Sequence, residues 1–151
     1  MSDKLTDADQ KPFEILLVED NPGDVRLTQE ALKESDIPTN VNVAVDGEQA
    51  IGYLNGKSEY ASSPKPDLIL LDLNLPKKNG LEVLEIIKDN DGLKHIPVVI
   101  ITSSEAEFDI SKSYNLHANC YITKPVEFDD FNNVVQNIVR FWFSIVKLPK
   151  D

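Results

Sequence analysis

Five short runs of apolar residues recur along the chain, and longer segments with a helical period of apolar positions separate them. The apolar runs cover residues 15–18, 41–45, 68–71, 98–101 and 120–122. The longer segments cover residues 24–35, 48–54, 80–88, 105–114 and 128–146, and several begin at the Asp, Asn or Ser residues that cap helices. This alternation predicts five strand-helix units.

The apolar runs at residues 68–71 and 98–101 contain no polar position. Both faces of such strands must be buried, as happens in a parallel sheet that is covered by helices on each side. Consecutive strand-helix-strand units with right-handed crossovers form a doubly wound sheet, whose ligands bind at the carboxyl ends of the strands where the winding reverses. The predicted fold is therefore α/β, a doubly wound (βα)5 three-layer sandwich, with a long loop at residues 56–66.

The chain has 151 residues, of which 41% are hydrophobic and 27% charged, a composition that suits one globular domain. We expect this domain to span residues 12–147, between a disordered acidic tail at residues 1–11 and a short C-terminal tail at residues 148–151. A separate output domain does not fit into the remaining length.

The formal net charge of −11 argues against binding to nucleic acid or to an anionic membrane surface. The single cysteine, Cys120, cannot form an internal disulfide, and the chain starts without an apolar run of the kind found in signal peptides. A cytoplasmic location is therefore expected, with Cys120 as a small buried residue.

Acidic residues end two strands that should be neighbours where the winding reverses. Glu19 and Asp20 follow the first strand, and Asp72 follows the third strand, two residues before Asn74. Clustered carboxylates raise one another's pKa or recruit a cation, and hard oxygen ligands at a wet cleft favour Mg²⁺. Helix capping alone would explain one of these acids, but three at one edge of the sheet predict a metal site.

Two further strands add a hydroxyl group and an amine at the same edge. Thr102 follows the fourth strand and Lys124 follows the fifth. Phosphoryl transfer requires positioning and charge neutralisation, which a nucleophilic carboxylate, a metal, a hydroxyl and a lysine supply together. His95 and His117 fall in loops or helix ends and are expected to be solvated surface residues.

From residue 13 to about residue 146 the chain resembles the receiver domains of two-component response regulators. The matching residues are the acidic pair Glu19 and Asp20, Asp72 with Pro76 and Gly80 at the usual spacing after it, Thr102 followed by small residues, and Lys124 with Pro125. The resemblance implies a flavodoxin-like, CheY-like sheet of strand order 2-1-3-4-5. It also implies that Asp72 accepts a phosphoryl group from a sensor histidine kinase. Mg²⁺ would be held by Asp20, Asp72 and the carbonyl group of Asn74, and Glu19 would orient its waters.

The resemblance implies two further features of the site. Tyr121 would be the aromatic switch residue that swings inward as Thr102 moves toward the phosphoryl group, although a half-buried aromatic on an edge strand has the same pattern. The Lys124–Pro125 peptide bond would be cis, and a trans bond would carry the lysine past the cleft.

A narrower resemblance connects the chain to the small regulators that are partnered with cyanobacterial and bacterial phytochromes. It is carried by residues 19–24, residues 72–80, the Pro-rich loop before Asp67, and Phe141 with Trp142. It implies a phytochrome-type kinase as the partner. It also implies a homodimer formed through the fourth helix, the fifth strand and the fifth helix, whereas the sequence does not identify the downstream protein.

The last helix supports the homodimer because its apolar arc is wider than a core-facing helix needs. At 100° per residue, one side contains Phe131, Val134, Ile138, Phe141 and Ile145. Val135, Val139, Trp142 and Phe143 widen that side, and we expect these four residues to form the interface. The alternative is that a loop or the N-terminal tail covers the excess.

The sequence also leaves other functional classes open. Haloacid-dehalogenase-like phosphatases also form an aspartyl phosphate, but they need an acid two residues after the nucleophile, where this chain has Asn74. A nucleotide or flavin binder would need a Gly-rich loop after the first strand. A receiver-shaped binding module that is never phosphorylated is the third alternative, against which the intact Asp72, Thr102 and Lys124 argue.

Overall fold

The computed structural model describes residues 11–125 and 127–149. Its strands are β1 (Phe13–Val18), β2 (Thr39–Ala44), β3 (Leu68–Leu71), β4 (Val98–Thr102) and β5 (Cys120–Thr123). Its helices are α1 (Pro22–Lys33), α2 (Gly47–Asn55), α3 (Gly80–Asp89), α4 (Glu107–Asn115) and α5 (Phe128–Arg140). A 3₁₀ turn at Ser58–Tyr60 lies in the predicted loop after α2, and a π-helical turn at Phe141–Ile145 continues α5. Most of the expected disordered tail, residues 1–10, lies outside the described residues.

The strands form one parallel sheet of order β2-β1-β3-β4-β5, which confirms the predicted fold class. Every residue of β3 and β4 is buried, as their uninterrupted apolar sequences predicted. Helices α1 and α5 cover one face of the sheet, where Leu32 and Phe131 pack beside Leu70. Helices α2 and α3 cover the other face, where Ala50 and Leu84 are fully buried. The order reverses at β1 and β3, so the carboxyl ends of these two strands are adjacent.

Helix α1 begins two residues earlier than the sequence indicated, because its cap is Asn21 rather than Asp24. The Asn21 side chain accepts a hydrogen bond from the backbone N–H of Asp24 at 3.1 Å, and Pro22 occupies the first helical position. Proline is favoured there because its missing N–H would have no partner in the helix. Asp24 consequently lies inside the first turn of the helix.

The wide apolar arc at the end of the chain has a different explanation from the predicted one. Val135 and Val139 are each 1% exposed and pack in the core, so their assignment to an interface was wrong. Phe141 and Ile145, which were expected to face the sheet, are 48% and 65% exposed. The cause is the π-helical turn, in which the Val146 N–H donates to the carbonyl oxygen of Phe141 at 3.0 Å. A π-turn advances the side chains by less than 100° per residue, so the α-helical projection fails after Arg140.

The other two predicted interface residues are half-buried. Phe143 stacks on Phe13 of β1, with ring centroids 4.1 Å apart and an angle of 8° between the rings. Trp142 packs edge-on against Phe141. The start of β1 therefore covers part of the excess apolar surface. Within the described ranges, no helix is both long and apolar enough to cross a membrane.

The loop between β3 and α3 is held close to the rest of the sheet by glycine. A Cβ atom added at Gly80 would overlap the backbone carbonyl oxygen of Asp72 and the Cα of Leu73. The N–H of Gly80 donates to the carbonyl oxygen of Leu73 at 2.9 Å. Only a residue without a side chain permits this approach, and it fixes the backbone that follows Asp72.

Candidate functional site

Four of the predicted site residues meet at the carboxyl edge of the sheet. Backbone hydrogen bonds continue the strand ladders beyond the strand ends: Glu19 N–H donates to Ala44, Asp72 N–H donates to Val18, and Lys124 N–H donates to Thr102, at 2.7 to 3.0 Å. Glu19, Asp72 and Thr102 are buried, with 3%, 5% and 0% exposure. The site is therefore built on rigid strand ends rather than on loops.

Lys124 is the centre of this cluster. Its ammonium group donates to Glu19 Oε1 at 2.6 Å, to Asp72 Oδ2 at 2.6 Å and to Asp24 Oδ2 at 2.7 Å. Burial by itself would lower the pKa of Lys124, but the hydrogen bonds to Asp24, Asp72 and Glu19 outweigh it and raise that pKa. The lysine is thus always charged, and each of its three N–H groups has a carboxylate partner.

Asp72 has a partner for each of its carboxylate oxygens. Oδ1 accepts from the Thr102 hydroxyl group at 2.8 Å and from the Asn74 N–H at 2.9 Å, while Oδ2 accepts from Lys124. Burial would raise the pKa of Asp72, but the bonds from Lys124, Asn74 and Thr102 outweigh it and lower the pKa. Asp72 is therefore an ionised carboxylate at neutral pH, and its hydrogen bonds hold it in a fixed position.

Glu19 has the opposite electrostatic character, although it shares the same lysine. Burial and the negative charge of Asp72 raise the pKa of Glu19 to about 7, in spite of hydrogen bonds from Lys124 and from the Asn21 N–H. One ammonium group does not neutralise three carboxyl groups, so the site retains an excess of negative charge. Such a set of hard oxygen donors matches the preference of Mg²⁺.

The remaining predicted metal residues lie at the rim of the site. Asp20 and Asn74 are both exposed, and Asn74 contributes its N–H to Asp72. Over residues 11–125 and 127–149, no three side chains of His, Cys, Asp or Glu are arranged to hold a metal ion. The ammonium group of Lys124 instead occupies the position between the buried carboxyl groups.

Asp24 is the site residue that sequence reasoning missed. Its only signal was its place in the acidic string of residues 19–24, which an ordinary helix cap would equally explain. Its carboxylate reaches Lys124 because α1 starts at Pro22 and turns its first residues over the end of β1. Asp24 joins the cluster because of where α1 begins and how far the side chain extends. The spacing of residues along the sequence does not reveal this contact.

The predicted cis bond between Lys124 and Pro125 is wrong, since no peptide bond in the described part of the chain is cis. The expectation assumed that a trans bond would carry the lysine out of the cleft. The long Lys124 side chain nevertheless reaches all three carboxylates from a trans backbone. The site therefore does not require a cis bond, and the bond adopts the trans form that X-Pro bonds generally favour by about 0.5 to 1 kcal/mol.

Tyr121 is connected to the loop that follows Thr102. Its hydroxyl group donates to the carbonyl oxygen of Ser104 at 2.9 Å, and its backbone N–H donates to the hydroxyl oxygen of Tyr114 at 3.1 Å. The ring is half-buried. A displacement of Thr102 would therefore reach Tyr121 through only two residues of backbone. His95 and His117 are exposed, as expected.

Comparison with known proteins agrees with this geometry. Residues 15–136 match the model of the response regulator receiver domain family. The chain is 50% identical to the response regulator Rcp1 of a Synechocystis species, over 96% of this chain and 99% of that protein. The crystal structure of the phosphorylated cyanobacterial phytochrome response regulator RcpA superimposes with a TM-score of 0.90 at 50% identity, covering 93% of this chain and all of that one.

A second solved structure, the Mn²⁺-bound form of Rcp1, gives a TM-score of 0.88 at 51% identity and covers 92% of this chain and all of that one. These matches extend over nearly the whole length of both partners. The sheet order, the buried acidic edge and the family match lead to one conclusion: this chain is a member of the response regulator receiver domain family.

Proposed function

We propose that the chain is a response regulator that accepts a phosphoryl group on Asp72 from a phosphohistidine of a sensor kinase. An Asp72 carboxylate oxygen attacks phosphorus, the bond from phosphorus to the imidazole nitrogen breaks, and the released nitrogen takes up a proton. The observation that carries this proposal is the environment of Asp72, whose lowered pKa and bonds from Thr102 and Lys124 prepare an ionised nucleophile. Turnover of a small-molecule substrate is not part of the proposed function.

Mg²⁺ is the metal that this donor set favours. We assign it to Asp20, Asp72 and the carbonyl group of Asn74, with Glu19 orienting its waters, and the Mn²⁺-bound form of Rcp1 supports a divalent cation. When bound, Mg²⁺ neutralises charge on the transferring phosphoryl group. Lys124 and the Thr102 hydroxyl group then supply the remaining donors to the phosphoryl oxygens.

The direct test is phosphotransfer to the purified chain. We expect acid-stable radiolabel to appear on the wild-type protein when it is mixed with an autophosphorylated histidine kinase and Mg²⁺, and to stay absent when the metal is chelated. The phytochrome response regulators among its relatives support a phytochrome-type kinase as the donor. We also infer that both partners meet in the cytoplasm. Failure of every histidine kinase and of small phosphodonors to label the protein would contradict the proposal.

Phosphorylation should bias a two-state surface made by α4, β5 and α5 through Thr102 and Tyr121. Replacing Thr102 by Ala removes the hydroxyl group that bonds Asp72, and it should leave Asp72 able to accept label. We expect the coupling of roughly 1 to 3 kcal/mol between phosphorylation and partner binding to disappear. The measurement is partner affinity with and without the phosphoryl group, and a response equal to wild type would contradict the switch role.

We further propose a homodimer through α4, β5 and α5. Strand β5 is at the edge of the sheet and all its residues are half-buried. Beside it, an apolar hollow of about 280 Å³ is lined by Cys120, Ile122, Val134, Asn137, Ile138, Phe141 and Trp142. Helix α4 also has two exposed aromatic side chains, Phe108 at 70% and Tyr114 at 48%. Exposed apolar surface is often found at protein interfaces.

The best test of the dimer uses the residues that the π-helical turn exposes. Replacing Phe141 and Ile145 together by Ser should weaken dimerisation by at least about 30-fold, because exposed anchors of an interface carry most of its affinity. Phosphoryl acceptance should be unchanged, since both residues lie away from Asp72. Sedimentation measures the oligomeric state. The matched control is Val45→Ser, an apolar side chain with similar exposure of 44% directly after β2, which is the opposite edge strand of the sheet. A wild-type protein that stays monomeric at high micromolar concentration would contradict the dimer.

The haloacid-dehalogenase-like phosphatase, which was the alternative from another class, does not agree with the match to the receiver domain family. It would require an acid at the position of Asn74, whose N–H instead holds Asp72. A receiver-like module that is never phosphorylated would not need the complete set of bonds around Asp72. Both alternatives lack a specific observation in their favour.

A further inference from the structure

Asp24 gives this site a third carboxylate partner for its lysine. The backbone of Asp24 is fixed at both ends, since its N–H donates to Asn21 Oδ1 at 3.1 Å and its carbonyl oxygen accepts from the Thr28 hydroxyl group at 2.8 Å. Its carboxylate lies 2.7 Å from the Lys124 ammonium nitrogen, and the side chain is 28% exposed. The first turn of α1 therefore directs a negative charge at the lysine.

The contact with Asp24 matters because it occupies one of the few N–H donors of Lys124. An ammonium group has three N–H donors, and here Glu19, Asp24 and Asp72 occupy all of them. A phosphoryl group on Asp72 brings further acceptor oxygens and about two negative charges. The ammonium group must therefore redistribute its bonds when the phosphoryl group arrives.

Among the three partners, Asp24 is the most exposed. The side chains of Glu19 and Asp72 are 3% and 5% exposed, and each also accepts a backbone N–H. Asp24 projects from a helix, and its carboxylate lies beside the same ammonium group that would stabilise phosphoryl oxygens. Its charge also repels an incoming anionic phosphodonor, because like charges at such distances interact unfavourably.

We propose that Asp24 is a positioning residue that competes with the phosphoryl group for hydrogen bonds from the Lys124 ammonium group. This competition lowers the affinity of the site for the phosphoryl group. The inference rests on the proposed function of Asp72 as phosphoacceptor. It predicts that neutralising Asp24 raises the affinity of the site for a phosphoryl group. If Asp24 only held Lys124 in position, its loss would lower that affinity.

The test compares Asp24→Asn with two matched variants. Asp24→Glu keeps the charge within reach of Lys124, and Glu30→Gln removes the same charge from an exposed position of the same helix. Beryllium fluoride is titrated into each protein as a phosphoryl mimic at saturating MgCl₂, so that a change in metal affinity does not contribute. We expect Asp24→Asn to bind it about three- to tenfold more tightly, a modest factor because Asp24 is partly screened by solvent.

A second measurement separates positioning from structure. With acetyl phosphate as donor, Asp24→Asn should lower the saturation constant by a similar factor and leave the maximal rate within about twofold of wild type. Asp24→Glu and Glu30→Gln should each stay within about twofold of wild type in both measurements. Circular dichroism verifies folding, and Asp24→Ala replaces the Asn variant if that variant does not fold.

Three results would overturn the inference: unchanged or weaker binding of the mimic by Asp24→Asn, equal tightening by Asp24→Glu, or equal tightening by Glu30→Gln. Failure of the proposed function has a different signature. In that case the wild-type protein itself binds no beryllium fluoride in an Asp72-dependent manner and takes no phosphoryl group from acetyl phosphate.

Discussion

Replacing Asp72 by Asn is expected to reduce phosphoryl incorporation by at least about 1000-fold, because the variant loses the carboxylate that we propose as the nucleophile. The amide keeps the size of the side chain, and its oxygen can still accept from the Thr102 hydroxyl group and the Asn74 N–H. The substitution removes the negatively charged oxygen that accepts a hydrogen bond from Lys124 and that would attack phosphorus. Acid-stable, base-labile label from a phosphorylated kinase is the measurement, with circular dichroism to verify the fold.

The matched control for this variant is Asp67→Asn. Asp67 precedes the same strand, β3, at its opposite end, where its carboxylate accepts from the Glu14 N–H at 2.8 Å. We expect the control to accept label at the wild-type rate. Label on Asp72→Asn at that rate, or label that maps to Glu19 or Asp20 in the wild-type protein, would show that the phosphoacceptor has been wrongly assigned.

Replacing Lys124 by Met is expected to lower the free energy of unfolding by about 3 kcal/mol at pH 8, because it leaves buried carboxylates without their counter-charge. The side chain of Lys124 is only 11% exposed, so solvent compensates little for the loss. Methionine keeps an unbranched chain of similar length, which limits the contribution of lost packing.

The cost of Lys124→Met should depend on pH in a definite direction. Without the ammonium group, the folded-state pKa values of Glu19 and Asp72 rise above their unfolded values, so the folded variant binds more protons. Its stability then falls as pH rises from about 4 toward 7. In the wild-type protein, Glu19 already contributes such a decline between its unfolded value of 4.5 and about 7. Asp72 acts oppositely, because its lowered pKa gives stability that is lost as pH falls below 3.8.

Urea unfolding at pH 5 and pH 8 in the presence of a chelator measures this dependence. We expect the cost of Lys124→Met to shrink to about 1 kcal/mol at pH 5, where the buried carboxyl groups of Glu19 and Asp72 in the variant are largely protonated. Lys33→Met is the control, because the Lys33 side chain is 76% exposed and should change stability by less than about 0.5 kcal/mol at either pH. An equal cost at both pH values would mean that packing, not charge, explains the loss.

Relatively few residues were needed to predict the fold. Runs such as residues 68–71 have no polar position, and only a parallel sheet that is covered on both faces buries them completely. Because parallel strands all point the same way, residues that follow them must meet at one edge. The proximity of Glu19, Asp72, Thr102 and Lys124 is a direct consequence of that topology.

Sequence patterns predicted which helices and strands exist more accurately than they predicted the residues at which the helices begin and end. The start of α1 was set two residues late because Asp24 and Asn21 are both good caps, and only the hydrogen bond from the Asp24 N–H distinguishes them. The end of α5 was extended to residue 146 because the apolar pattern continues there. Hydrogen bonding changes from the α-helical to the π-helical form after Arg140, and spacing alone does not reveal such a change.

The sequence by itself thus determined the five strand-helix units and the edge of the sheet where Glu19, Asp72, Thr102 and Lys124 meet, and it supplied the proposal that Asp72 is the phosphoacceptor. The tertiary structure decided which groups share Lys124, how that lysine reaches the site from a trans peptide bond, and which face of the final turn is exposed. The physical reason is one of scale. Strand and helix periods follow from backbone geometry, which repeats along the chain, whereas a bond between Asp24 and Lys124 depends on the positions of two elements a hundred residues apart in sequence.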